Sequence, residues 1–231
     1  MNPAEPIHPE GPAPAASPAR GDGRVGRALR AEQRFLRRPL NLASRVLLLA
    51  AAVAIAVSFC FPLWRLHLVA PQYEEGLDLF IYSYRIQGGG IGGAHLAEIN
   101  NLNHYIGMKP IEQADFMEMR WMPFVFGLIL LLILRAAVFG EMGNLVDLFA
   151  LYSYFGVFSI GAFYYRLYTY GHTLDPKAPM TIEPFTPLLI GTKQIANFTQ
   201  HSYPQGGAWL LCLSVALIVA AGWCSRKEAV A

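Results

Sequence analysis

Cysteine is scarce in this 231-residue chain: Cys60, Cys212 and Cys224 all fall in or beside long apolar runs. No CxxC pair and no disulfide framework is available, and the CxxCH signature of covalently held c-type haem is absent. Histidine is missing from the apolar runs themselves, so a haem held between helices would lack its usual axial ligands. Ionisable residues are absent from the middle of those runs as well. Arg135, Glu141, Asp147 and Arg166 sit near their ends, which argues against a substrate path at mid-membrane depth. The glycine-rich stretch Gln87–His95 lacks the Lys-Ser/Thr ending of a phosphate loop and reads as a linker. No Ser-His-Asp arrangement follows from spacing. The chain is expected to be non-enzymatic, with no nucleic-acid partner.

What the sequence has in quantity is apolar residues gathered into runs. Four runs read as transmembrane helices, at about residues 45–64, 122–139, 145–168 and 207–223, since roughly 20 mostly apolar residues cross ~30 Å of hydrocarbon. The expected fold class is therefore an all-α membrane protein of four transmembrane helices, with two extracytoplasmic loops, 65–121 and 166–206, forming a small irregular cap. Residues 1–44 form a Pro/Ala-rich and Arg-rich arm, expected to be disordered. Eight arginines from Arg20 to Arg45 precede or open the first run, and Arg226 and Lys227 follow the last. The positive-inside rule then puts both termini in the cytoplasm of a bacterial inner-membrane protein. Trp64, Trp121, Trp209 and Trp223 fall at span ends, as an aromatic belt would place them. The lipid bilayer is the first partner implied.

The remaining signal is a partition. Five of six histidines, His67, His95, His104, His172 and His201, and five of seven methionines, Met108, Met117, Met119, Met122 and Met180, fall in the outward segments or at their membrane edge. Imidazole suits copper and zinc, and thioether sulfur selects Cu(I). In "NLNHYIGMK", His104 and Met108 are four apart and would share a helix face. Leu96, Ile99, Leu102 and Ile106 carry a helical spacing, and Gly107 reads as the helix C-cap, after which Met108 turns away. His95 is half a turn out of phase with His104, so a further ligand must come from the second loop, which offers His172 and His201. The candidate metal ligands are His104, Met108 and His172, with Asp175 as the acceptor that orients His172. The plainer reading keeps these as polar surface and interfacial packing. The prolines of the second loop favour an irregular path.

The segments "LVAPQYEEGL", "INNLNHYIGMK", "YGHTLDPKAPM" and "IGTKQIANFTQHSYPQGG" together resemble a family of multi-pass bacterial membrane proteins associated with nitrous-oxide reductase maturation. That family accompanies, or is joined to, a copper-chaperone lipoprotein domain. The resemblance singles out Asn103, His104, Gly107 and Met108, then Gly171, His172, Asp175 and Pro176, then Gly191, Lys193 and Gln194. It implies an inner-membrane accessory protein for extracytoplasmic copper handling or cuproenzyme maturation. A periplasmic copper carrier or a membrane cuproenzyme would be its partner, and copper its possible cofactor. The chain is expected to be a version without a joined chaperone domain after the last apolar run. The alternative is a structural or assembly subunit that docks a partner through its outward loops without metal.

Overall fold

The computed structural model describes residues 24–195 and 197–228. The expected disorder of Met1–Ala19 lies outside these residues. Within the rest of the arm, where disorder is expected up to residue 44, residues Arg24–Leu36 form helix α1.

Four apolar helices follow: α2 (Leu42–Ser58), α4 (Glu118–Phe139), α5 (Met142–His172) and α6 (Gly206–Glu228). Asn41 caps α2 by accepting from Ser44 N at 2.7 Å, satisfying one of the donors a helix start leaves open. Ser44 Oγ donates to the Ala221 carbonyl at 2.6 Å and lies 2.7 Å from Ser225 Oγ, clamping the start of α2 to the end of α6. Leu48, Ile55 and Ile218 are fully buried in that pairing. The small residues Ala51, Ala52 and Ala221 allow the close backbone approach that helices use in lipid. At the same end, Leu40 N donates to Gly140 O and Met142 N to Arg38 O, tying the entry of α2 to the turn between α4 and α5.

The other end is not an irregular cap. Strands β1 (Trp64–Ala70), β2 (Tyr73–Ile81), β3 (Ile86–Gly88), β4 (Gly191–Ile195) and β5 (Phe198–Pro204) form one antiparallel sheet in the order β3-β2-β1-β5-β4. This overturns the all-α reading: the fold is mixed α/β, with a five-stranded sheet. Three helices, α4, α5 and α6, are long and apolar enough to cross a membrane. They are what a partly membrane-embedded protein requires. The 17 residues of α2 reach only ~26 Å. Its expected continuation to Trp64 fails at "FPLW", where Pro62 cannot carry a helix on. The chain instead turns straight into β1.

The cap grows out of the bundle. The antiparallel α2–α6 pair continues as the paired strands β1 and β5, so both outward segments contribute to one sheet. The 31 residues of α5 span ~46 Å, well beyond the ~30 Å of hydrocarbon, so its last turns stand beside the sheet. Helix α3 (His95–Tyr105) packs Ile99 and Leu102 against Leu66, Leu68 and Leu79 of the sheet's inner face. It ends as its sequence suggests, with Gly107 at φ +76° and Met108 N donating to Asn103 O at 2.8 Å. The two outward segments also meet away from the sheet. Asp175 N donates to Gly107 O and Met180 N to Tyr105 O, while within the second segment Phe185 N donates to Gly171 O.

Candidate functional site

Because side chains alternate along a strand, each strand of the cap gives one set of residues to the interior and one to the outside. In β1, Leu66, Leu68 and Ala70 are buried, while Arg65, His67 and Val69 face out. Register then decides which outward side chains become neighbours. His67 stands opposite Asp78 on β2 and opposite His201 on β5, and His201 stands opposite Thr192 on β4. The result is a polar row across four strands: Asp78, His67, His201, Thr192.

Hydrogen bonds hold the row in place. Asp78 Oδ1 accepts from His67 Nδ1 at 2.8 Å and from Arg65 Nε at 2.7 Å. Thr192 Oγ1 and His201 Nδ1 share a bond of 2.7 Å. The two imidazole rings lie 5.9 Å apart at an interplanar angle of 35°. In both rings Nδ1 is engaged, so Nε2 of His201 is the edge left to a ligand, and Nε2 of His67 joins it only when that ring lifts off Gly76. The Cε1–Nε2 edge of His67 rests over Gly76, where any β-carbon would overlap the ring. His95 closes the β2 side by accepting from Asp78 N at 3.0 Å through Nδ1, its ring cradled by Gly89 and Gly90. The glycine-rich stretch is thus a fitted turn around an imidazole rather than a linker.

Burial works against the charge of Asp78, but the hydrogen bonds from Arg65 and His67 outweigh it and hold the carboxyl below its ordinary value of 3.8. Asp115 is likewise held below 3.8, first by its hydrogen bond to Lys109, whose ammonium is 2.7 Å away. A carboxyl whose folded pKa is depressed stabilises the fold above its ordinary pKa, and that contribution is lost as pH falls toward the folded value. The cap is therefore expected to keep the contribution of both carboxylates from neutral pH down to about 4 and to lose it below. Thermal unfolding followed by near-UV circular dichroism should show a shallower acid limb in Asp78→Asn. An acid limb identical to wild type would remove Asp78 from this account.

The expected ligands fall elsewhere. His104 is exposed in the last turn of α3. Met108 is half-buried and lines an apolar chamber of about 80 Å³ inside the cap, with Asn103, Gln200 and Arg166. His172, exposed at the end of α5, stacks on Tyr168 with ring centroids 3.9 Å apart and donates Nδ1–H to the Tyr168 carbonyl at 2.9 Å. Asp175 does not orient it; Asp175 Oδ1 accepts from Lys177 N at 2.9 Å. The three side chains thus stand in three different environments. Among the described residues, no group of three or more His, Cys, Asp and Glu side chains could hold a metal ion. The row at His67 and His201 was missed by spacing, although the alternation of "WRLHLVA" carried the signal for one half of it.

The base of the cap carries a second feature. Arg166 on α5 binds Glu118 in the first turn of α4 through three contacts of 3.1 Å, and its guanidinium lies 5.7 Å from the Phe116 ring. Arg166 forms part of the wall of the chamber above and of a larger apolar cleft below, about 520 Å³, between α4, α5 and α6.

No family model, curated protein or solved structure matches this chain.

Proposed function

We propose that the protein is a non-enzymatic accessory protein of a bacterial inner membrane. It holds a folded cap on the extracytoplasmic side to receive a partner engaged in copper handling or cuproenzyme maturation. The arginine-bearing end of the bundle, with Arg37, Arg38, Arg45 and the end of α6, faces the cytoplasm in this reading, as the positive-inside rule prefers. The observation that supports it best is the row Asp78–His67–His201–Thr192 on the outer face of a sheet whose inner face is packed. Such a face can offer imidazole edges to a partner without opening the core. The partner, a periplasmic copper carrier or a membrane cuproenzyme, follows from the resemblance of the loop motifs and from the affinity of imidazole for copper.

A second reading gives the protein a metal of its own. Metal-bound histidines characteristically engage their other ring nitrogen with an acceptor, and His67 does so with Asp78. Coordination shared with His201 requires the His67 ring to turn away from Gly76.

Titration of the purified protein in nanodiscs with Cu(I) against a competing chelator separates these readings. Binding lost in the His67→Ala/His201→Ala variant, and kept in His104→Ala/Met108→Leu/His172→Ala, supports a metal on the sheet face. The reverse pattern supports the loop residues. No binding by wild type leaves docking without metal. The docking reading itself fails if a cysteine placed at Tyr203, on the same sheet face, cross-links to no membrane or periplasmic protein in intact cells.

A further inference from the structure

The cleft runs between α4, α5 and α6, the helices long and apolar enough to cross a membrane, and is closed at one end by the base of the sheet at Trp64, Ile81 and Pro204. Helix α5 lines it from Tyr152 to Arg166, a length of ~21 Å. Phe158, Ile160 and Trp209 at its rim are exposed apolar side chains, so the cleft opens sideways where lipid would lie. Its volume of about 520 Å³ is within the range of roughly 300–1,000 Å³ of small-molecule sites.

Two observations bear on the head of a ligand. The one cation among the lining residues, Arg166, is spent on Glu118 in a two-toothed ion pair, so the wall carries no free positive charge for a phosphate. Ser159 Oγ, on the same face of α5 and seven residues deeper, is buried with no hydrogen-bond partner. An unpaired buried hydroxyl is costly; a turn of the Ser159 side chain toward the cleft would let a ligand carbonyl accept from it and relieve that cost. Trp64, Trp121, Phe116 and Phe163 supply aromatic surface near the outer end.

We propose that this cleft binds an isoprenoid quinone: a neutral planar head near Ser159 and Arg166, among the aromatic rings, and a tail running past Gly156 toward Tyr152. This rests on the bilayer placement proposed above, but not on the partner or on copper.

The test uses the full chain in nanodiscs and a decyl-chain benzoquinone as probe. Trp64, Trp121 and Trp209 all line the cleft, so their fluorescence reports contact with the probe. A β-carbon at Gly156 meets nothing within 4 Å, so Gly156→Leu fills the cleft without displacing a neighbour. Gly127 on α4 is equally open but is not part of the lining, which makes Gly127→Leu the control. The expected result is saturable quenching by wild type, at least ten-fold weaker binding in Gly156→Leu, a several-fold loss in Ser159→Ala, and no change in Gly127→Leu. Quenching that rises without saturation, or equal behaviour of the two leucine variants, overturns the proposal. So does a co-purifying phospholipid, or a disulfide-trapped second helix in the cleft, that the quinone fails to displace. Failure of the chain to enter nanodiscs would instead overturn both the bilayer placement and the proposal that rests on it, and it is read separately, from the protein recovered in the disc fraction.

Discussion

Replacing Gly76 by alanine should be among the most damaging single-methyl changes in the cap, with an expected loss of about 2–5 kcal/mol. Two effects add. The backbone at Gly76 has φ +79°, a conformation that costs an L-residue roughly 1–2 kcal/mol. The new methyl would also occupy the space of the His67 ring, and overpacking of that kind costs typically 1–3 kcal/mol. The ring cannot stay where it is, so the bond from His67 Nδ1 to Asp78 is lost and Arg65 remains as the partner of the carboxylate. Thermal unfolding in detergent, compared with His67→Ala, is the measurement. The double variant Gly76→Ala/His67→Ala should recover part of the loss, because the overlap disappears and only the backbone strain remains. Equal stability of wild type and Gly76→Ala would show that the ring does not rest over Gly76, and the ordered polar row would fail with it.

The second large effect is expected at Glu118. Its neutral isostere Glu118→Gln leaves Arg166 without its anion, against Phe116 and between two apolar cavities. Removing one partner of a fully buried pair costs ~3–5 kcal/mol. The side chains here retain 30% and 23% exposure, so solvent screening reduces the expected loss to about 2 kcal/mol. Removing both charges should cost less than removing one. Glu118→Gln/Arg166→Met keeps an aliphatic stem over Phe116 and leaves no orphaned ion. A double-mutant cycle on unfolding temperature measures the difference. If Glu118→Gln proves no worse than the double variant, the pair is ordinary surface charge and does not tie α4 to α5 beneath the cap.

Several elements were legible because their causes are local. The apolar runs gave the long helices, since the burial of a helix in hydrocarbon is decided by consecutive residues. The four-span, all-α reading failed for an equally local reason at "FPLW", where weight given to apolar content carried the first run past Pro62 into a strand. The alternation in "WRLHLVA" and "YEEGLDLF" was present, but short segments between strong helical runs are easily read as irregular loop. The residues singled out by resemblance occupy junctions in the structure: Gly107 accepts from Asp175, Gly171 accepts from Phe185, and Lys193 donates to the Thr186 carbonyl at 2.9 Å. Their spacing advertised importance without saying whether that importance was ligation or assembly.

The sequence by itself determined which segments are apolar enough for a bilayer, where the arginines gather, and that α3 stops at Gly107. Each of these is settled by a residue and its near neighbours along the chain. Only the tertiary structure decided which histidines stand together. His67 and His201 meet because β1 pairs with β5 across most of the chain, and a one-residue slip in that pairing would send the imidazoles to the opposite face of the sheet. Helical hydrogen bonds close within four residues. Strand register depends on partners far away, on the packing of the buried face against α3, and on the α2–α6 pair that delivers β1 and β5 side by side.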